Sequence, residues 1–154
     1  MATPTQSLMD HLNDNWSATA ISWQNYNSSF DPGGTRTGYT NNDLWIVPLV
    51  EQIESEWMNA IPQEVDTVRE RYNLTVTVVS KQGSGTQTTE ARIADLKTLY
   101  DRTPVTNEGN TLRFKEMMVL PGQLIDATGP QSGLEAVYFE MPVVVPFETA
   151  RVDA

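Results

Sequence analysis

Residues 65–80, VDTVRERYNLTVTVVS, constrain the fold more than any other part of the chain. Val68, Tyr72, Leu74, Val76 and Val78 share one parity, while Thr67, Arg69, Arg71, Thr75 and Thr77 share the other. Alternation of this length requires a strand with one face in a core and the other toward water. The loop 81–87 follows. After it comes a helix expected over 88–100, with Ile93, Leu96, Leu99 and Tyr100 as its apolar stripe. Glu90 falls in the first turn of that expected helix, where the macrodipole favours a negative charge. A strand, a Gly/Ser/Thr loop and a helix in this order suit either a phosphate cradle or a plain corner. A cradle needs backbone N–H groups at a helix start and a lysine after the glycines. Here Lys81 precedes Gly83 and Gly85, and the spacing GxxxxGK[ST] is absent. The corner, in which glycine supplies unusual backbone angles, is the favoured reading.

The remaining segments supply the rest of a sheet and one more helix. Thr3, Pro4 and Gln6 form a helix start, with Thr3 as cap and Pro4 at the first helical position. The helix is expected over 4–15, with Leu8, Met9, Leu12 and Trp16 as its apolar positions. A short strand over 18–24 would place Ile21 and Trp23 on one face. Residues 44–57 are expected to form a strand with Trp45, Val47, Leu49, Ile53 and Trp57 on one parity, and a helix over 49–60 is the alternative. Pro48 points to an edge or a bulge in it. Residues 102–110 are expected to be a turn region. A strand over 112–120 would turn Leu112, Phe114 and Met118 one way, and Arg113 and Lys115 the other. Pro121-Gly122 marks a turn and 126–133 a loop. The last strand is expected over 134–147, with Val137, Phe139, Met141, Val143 and Val145 on one parity. Pro142 and Pro146 suggest that it is an edge or an interrupted strand, and residues 148–154 are expected to be a mobile tail. The sum is a single α+β domain over residues 1–154: a mostly antiparallel β-sheet with one main helix packed on a face and a short N-terminal helix.

Composition narrows the chemistry. The 154 residues include no cysteine and one histidine, so thiolate chemistry and a typical structural zinc site are excluded. No cofactor is expected. His11 lies beside Asp10 and Asp14, but no GxSxG elbow accompanies it, and a surface histidine is the favoured reading. The N-terminus has no secretory pattern and the longest apolar run, 141–147, is short and broken by prolines, so a non-membrane protein is expected. A formal net charge of −10 disfavours a DNA-binding role, because duplex affinity comes from Lys and Arg releasing counterions. Contact with DNA that slides past without sticking stays open. Glu51, Glu54 and Glu56 form an acidic stretch that suits a solvated face, a repulsive lining toward DNA, magnesium binding, or a carboxylate-dependent hydrolase. Arg69, Arg71, Arg113 and Lys115 on exposed parities suggest charge complementarity between copies. Residues 25–43 form a long Asn/Gly/Ser-rich loop with Phe30 and Tyr39 as aromatic anchors. It is either a surface loop or an arm that orders against a neighbouring subunit.

The order of short motifs adds a resemblance. Ile21-Ser22-Trp23-Gln24-Asn25 follows a helix, Leu44-Trp45-Ile46 opens a strand, and a G-x-G-T loop leads to a helix carrying Ala91 to Asp95. The chain then runs through an apolar strand into Pro146-Phe147. Over residues 5–147 this resembles the tail terminator, or tail completion, proteins of long-tailed bacteriophages. The loop 25–43 and the added length at 65–71 depart from that pattern. The resemblance implies a structural virion protein without enzymatic activity. It implies a hexameric ring on the last ring of the tail tube at the head–tail junction, assembled in the host cytoplasm. Such a ring stops tube polymerisation and meets a head-side connector or stopper protein, and in contractile tails the sheath. Genomic DNA passes through its lumen without specific binding. Under this reading Phe30, Tyr39, Arg69, Arg71, Arg113 and Lys115 are candidate subunit or partner contacts, and Glu51, Glu54 and Glu56 are candidate lumen-facing acids. The alternatives are another head–tail junction component, a stopper or tube protein, and a small carboxylate-dependent hydrolase.

Overall fold

A computed structural model of the chain describes residues 3–21, 44–57, 66–81, 86–126 and 137–153. These form helix α1 (Pro4–Asn15), strands β1 (Ala20–Ile21), β2 (Leu44–Trp57) and β3 (Asp66–Lys81), helix α2 (Thr86–Tyr100), and strands β4 (Pro104–Asn107), β5 (Asn110–Phe114), β6 (Met118–Val119), β7 (Gln123–Asp126) and β8 (Val137–Asp153). All the strands belong to one sheet of order β1-β2-β3-β8-β5-β4, with β6 and β7 also paired to β8. Every pairing is antiparallel except β1 with β2. The α+β expectation therefore holds, with two helices on one face of a mostly antiparallel sheet.

The alternation of β3 dictates that face. Val68, Tyr72, Leu74, Val76 and Val78 are all buried. Opposite them on β8 lie Val143, Val145 and Phe147, in register with Val76, Leu74 and Tyr72. From α2, Ile93, Leu96 and Tyr100 are buried against the same core, and from α1, Leu8, Leu12 and Trp16. The α1 start is as expected: the Thr3 side chain accepts the Gln6 N–H at 3.1 Å and Pro4 occupies the first turn. Helix α2 begins at Thr86, before the expected start at 88, so Glu90 falls beyond the first turn, which carries no acid.

Prolines sit differently from expectation. Strand β8 is neither an edge nor interrupted; it runs 17 residues through the middle of the sheet. In an antiparallel strand a residue's N–H and C=O point to the same side. The Pro146 carbonyl accepts from the Lys115 N–H at 2.8 Å, and that of Pro142 from the Leu120 N–H at 2.9 Å. Both proline nitrogens thus face the β5–β6–β7 side, away from β3, so the β3–β8 ladder loses no donor. The neighbour on that side is broken into three short strands, which removes the demand for those donors. The polar tail expected to be mobile is instead strand as far as Asp153, because β3 is long enough to pair residues 66–71 with residues 148–153.

Three other expectations are corrected. The core takes Leu44, Ile46 and Val50 from β2, not the parity of Trp45, Val47 and Leu49. Both parities are apolar there, and the register Ile46↔Val78 and Val50↔Leu74 decides between them. Trp45 is also buried, opposite Val79 and outside the main core. A bulge at Ile53 then shifts the register between Gln52 and Glu54. Residues 102–110 contain β4, which joins β5 through Glu108 (φ 53°) and Gly109 (φ 84°). Positive φ at both central positions matches the twist of a two-residue hairpin. The strand expected over 112–120 breaks after Phe114. Across the break Met117 donates its N–H to Asp101 Oδ1 at 2.7 Å and is buried, whereas Met118 is 50% exposed. Trp23 and residues 22–24 of the first short strand lie outside the described residues, as does the loop 25–43.

The parity change at Met117 has a direct test. Met117→Ala should lower the unfolding free energy in urea by about 2–5 kcal/mol. In dilute solution Met118→Ala should change it by no more than about 0.5 kcal/mol.

Candidate functional site

The face of the sheet opposite the helices gathers the basic residues singled out in the sequence. Arg69 and Arg71 are at odd positions of β3, and Glu148 pairs with Arg71 in the β3–β8 register. Arg113 on β5 is the next partner of Glu148. Glu54 lies opposite Arg71 on the other side, and Glu56 opposite Arg69. The strands β3, β8 and β5 therefore carry a row of alternating charge, Arg71, Glu148 and Arg113, and Glu54 holds the adjoining register position on β2. Cross-strand neighbours of opposite sign support the pairing of their strands. Glu148 receives Lys115 Nζ at 3.3 Å and Arg71 Nε at 3.9 Å. The Lys115 and Arg71 side chains are 56% and 40% exposed, so solvent screens these pairs and each contributes at most ~1 kcal/mol. A shallow groove of about 330 Å³ lies here, lined by Ile53, Arg69, Arg71, Lys115 and Glu148 among others.

Sequence reasoning separated the acids from the bases; the register brings Glu54 and Glu56 beside Arg71 and Arg69. Glu51 is exposed, one row away, opposite Asn73. Glu148 was missed because it follows Pro146. The signal was present, since the β8 alternation continues unbroken through Phe147 and Thr149. Phe30 and Tyr39 lie outside the described residues, as do residues 82–85 of the glycine loop. Among the described residues no group of three or more side chains is placed to hold a metal ion.

The lone histidine is not on an open surface. His11 on α1 lies with Nδ1 2.9 Å from the Tyr100 hydroxyl at the end of α2. Tyr100 is fully buried, and burial pushes its pKa up, so it keeps its proton. Burial also holds the imidazole below its ordinary pKa, while the Asp14 carboxylate pulls the other way. Neutral His11 can then accept at Nδ1 what Tyr100 donates. Nearby, Asn107 and Asn110 of the β4–β5 hairpin donate to the Ser7 carbonyl oxygen (2.9 Å) and Oγ (2.7 Å). The Glu108 carboxyl between them is raised, first by its hydrogen bond with Asp10. This corner ties α1 to the hairpin and to α2.

The two sides of the sheet end in exposed apolar side chains. Ile53, at the bulge of β2, is 57% exposed. At the far side Met118, Val119 and Leu120 are exposed, and Leu124 on β7 is 61% exposed. Among the described residues nothing pairs with the outer side of β2 beyond Ile46, or with the outer sides of β6 and β7. A Cβ at Gly122 would overlap the Phe139 ring, so glycine is what allows the chain between β6 and β7 to lie close to β8.

His11 provides a pH test. An unfolded imidazole titrates near 6.5 and takes up a proton before the folded one does. His11 therefore contributes its full stability above that value, and the contribution is lost as the pH falls through it toward the lower folded pKa. With one histidine in the chain, its NMR resonances give a single titration curve, whose midpoint should lie below 6.5. His11→Gln should flatten the fall in Tm between about pH 7 and about pH 5.

No protein-family model and no curated protein matches the chain. Among solved structures that match it, one named only by a sequence label is similar over 93% of this chain and 87% of its own, with a TM-score of 0.54 and 18% identity. At that identity the likeness bears on the fold alone: the same arrangement of helices and sheet exists in another chain of similar length.

Proposed function

We propose that this chain is a ring-forming structural subunit of a phage tail, of the tail terminator type. Six copies would close on the last ring of the tail tube, stop its polymerisation and present a surface to the head-side connector or stopper. In a contractile tail the same ring would engage the sheath. The observation that carries the reading is the pair of exposed apolar margins, Ile53 on one side of a single sheet and Met118–Leu120 with Leu124 on the other. A chain whose two opposite margins both seek cover can join head to tail, and such heterologous contacts generate rings when the rotation closes. Unpaired strand edges are a liability in a lone monomer and are normally blunted or covered. The resemblance in motif order supplies the tail setting. The net charge of −10 per chain suits a lumen through which DNA slides without being held.

Mass photometry and negative-stain electron microscopy test this reading. Purified protein, alone at high concentration or with tail tubes, should give rings, with tubes capped at one end and no longer growing. Monomers under every condition, with tubes left uncapped, would count against it. A position on intact particles away from the tube end, seen by immunogold labelling, would favour another junction component instead.

A further inference from the structure

The register beside β8 slips by one residue where β5 gives way to β6. Phe114 is opposite Phe147, and the Lys115 N–H still donates to the Pro146 carbonyl. Carried on, that register would set Glu116 opposite Val145 and Met118 opposite Val143, two valines buried in the core. Instead Met118 is opposite Val144, and Val119 is opposite Val143. One extra residue has therefore entered the chain at 116–117, as in a β-bulge. A slip of one residue turns every later side chain to the other face. Met118 shares the face of Val144 and Thr75, and Leu120, whose N–H donates to the Pro142 carbonyl, shares it too. This is the face opposite the helices. Without the extra residue both side chains would point toward the helices, with Leu112 and Phe114.

Two acids hold the bulge. Met117 is buried and donates its N–H at 2.7 Å to Oδ1 of Asp101, just past the end of α2. Glu116 is turned outward, its side chain 69% exposed and 2.9 Å from Arg102 Nη2. An unbroken strand would press that carboxylate against Val145, and burying a lone charge is strongly unfavourable. Arg102 sits at φ 53°, a conformation uncommon outside glycine, and its N–H donates to the Lys115 carbonyl. The apolar alternation Leu112, Phe114, Met118, Leu120 lacks only residue 116 to be complete. A local rule broken at one position, with backbone strain beside it, points to function. The prolines of β8 permit a break on this side; Asp101 and Glu116 place it. We infer that Asp101 and Glu116 are positioning residues for the apolar margin. They hold the bulge that turns Met118 and Leu120 outward, where a neighbouring copy of this chain covers them. This inference rests on the ring-forming reading for the occupant and adds to it the residues that build the surface.

Peroxide oxidation of dilute, unassembled protein reads the facing directly, because methionine becomes its sulfoxide at a rate that follows exposure. Tandem mass spectrometry separates the two neighbouring sites. In the native chain Met118 should be oxidised about tenfold faster than Met117. Asp101→Ala should raise the Met117 rate about threefold or more, whereas Asp101→Asn, which keeps an acceptor oxygen, should leave it low. The double variant Asp101→Ala with Glu116→Leu should reverse the order, Met117 becoming the faster, with the fold checked by circular dichroism. Its assembly into rings, alone or on tail tubes, should need about tenfold more protein. Met118→Gln, at an exposed side chain, should weaken assembly by a similar factor. If the double variant does not fold, the two Asp101 variants and Met118→Gln decide the matter. Native oxidation order in the folded double variant, or equal Met117 rates in Asp101→Ala and Asp101→Asn, would overturn the positioning roles. A reversed order with undiminished assembly, or full assembly of Met118→Gln, would overturn the docking role of this surface while leaving ring formation intact. A native chain that stays monomeric with and without tail tubes would overturn the ring reading, and the docking role with it.

Discussion

A continuous run of ring contacts crosses the core and joins five elements. Tyr72 of β3 stacks on Phe147 of β8 with centroids 5.0 Å apart and planes 6° apart. Phe147 meets Phe114 of β5 at 4.9 Å, and Phe114 meets Tyr100 of α2 at 4.8 Å. Tyr100 then closes edge-on against His11 of α1 at 5.6 Å. Aromatic pairs in offset or tilted geometry stabilise by ~0.5–1.5 kcal/mol beyond the area they bury. The run spans one sheet layer and one helix layer, so it fixes both the register of β3 against β8 and the seating of α2. Its ends are polar and satisfied: the Tyr72 hydroxyl donates to the buried Glu70 carboxylate at 2.6 Å, and Tyr100 shares a hydrogen bond with His11. Buried hydroxyls that have partners make such a core specific as well as stable.

Once that register is set, the opposite face has no freedom left. Side chains alternate, so placing Tyr72, Leu74 and Phe147 in the core forces Arg71 and Glu148 outward together. The alternating charges Arg71, Glu148 and Arg113 are a consequence of the same pairing. The fragmented neighbour of β8 follows from its prolines. A strand without donors at residues 142 and 146 cannot support a continuous partner on that side. The partner becomes β5, β6 and β7, and the breaks between them leave Met118–Leu120 and Leu124 exposed at the margin. The surface that the proposed ring would use is thus tied to the two prolines.

Much of this was legible in the residues. The strand at 66–81 and the two helices stand out because their apolar periods are clean and their neighbours polar. Thr3 and Pro4 mark the start of α1 by capping chemistry alone. Strand β2 was legible in extent, but not in which of its faces enters the core. The residues of its first half are apolar on both parities, so period-two reasoning has nothing to choose between. The hairpin of β4 and β5 was hidden because its first strand is only four residues long and has one buried position, Val105. The tail looked mobile because its composition is polar, yet Thr149 is buried and the strand continues. Of the site, Arg69, Arg71, Arg113 and Lys115 were found from parity, whereas Glu148 and Ile53 required a register and a bulge.

The sequence by itself determined the class of structure: a sheet with one apolar face, two covering helices, no thiol chemistry and a strongly acidic balance. Those properties depend on local periodicity and on composition, which a linear string contains in full. Tertiary structure alone decided which residues meet. Arg71 and Glu148 are 77 positions apart in the chain, and nothing local relates them. They share a row only because β3 and β8 pair in one register. That register is chosen by packing Tyr72 on Phe147, an interaction between residues that are remote in sequence and adjacent only in the folded sheet.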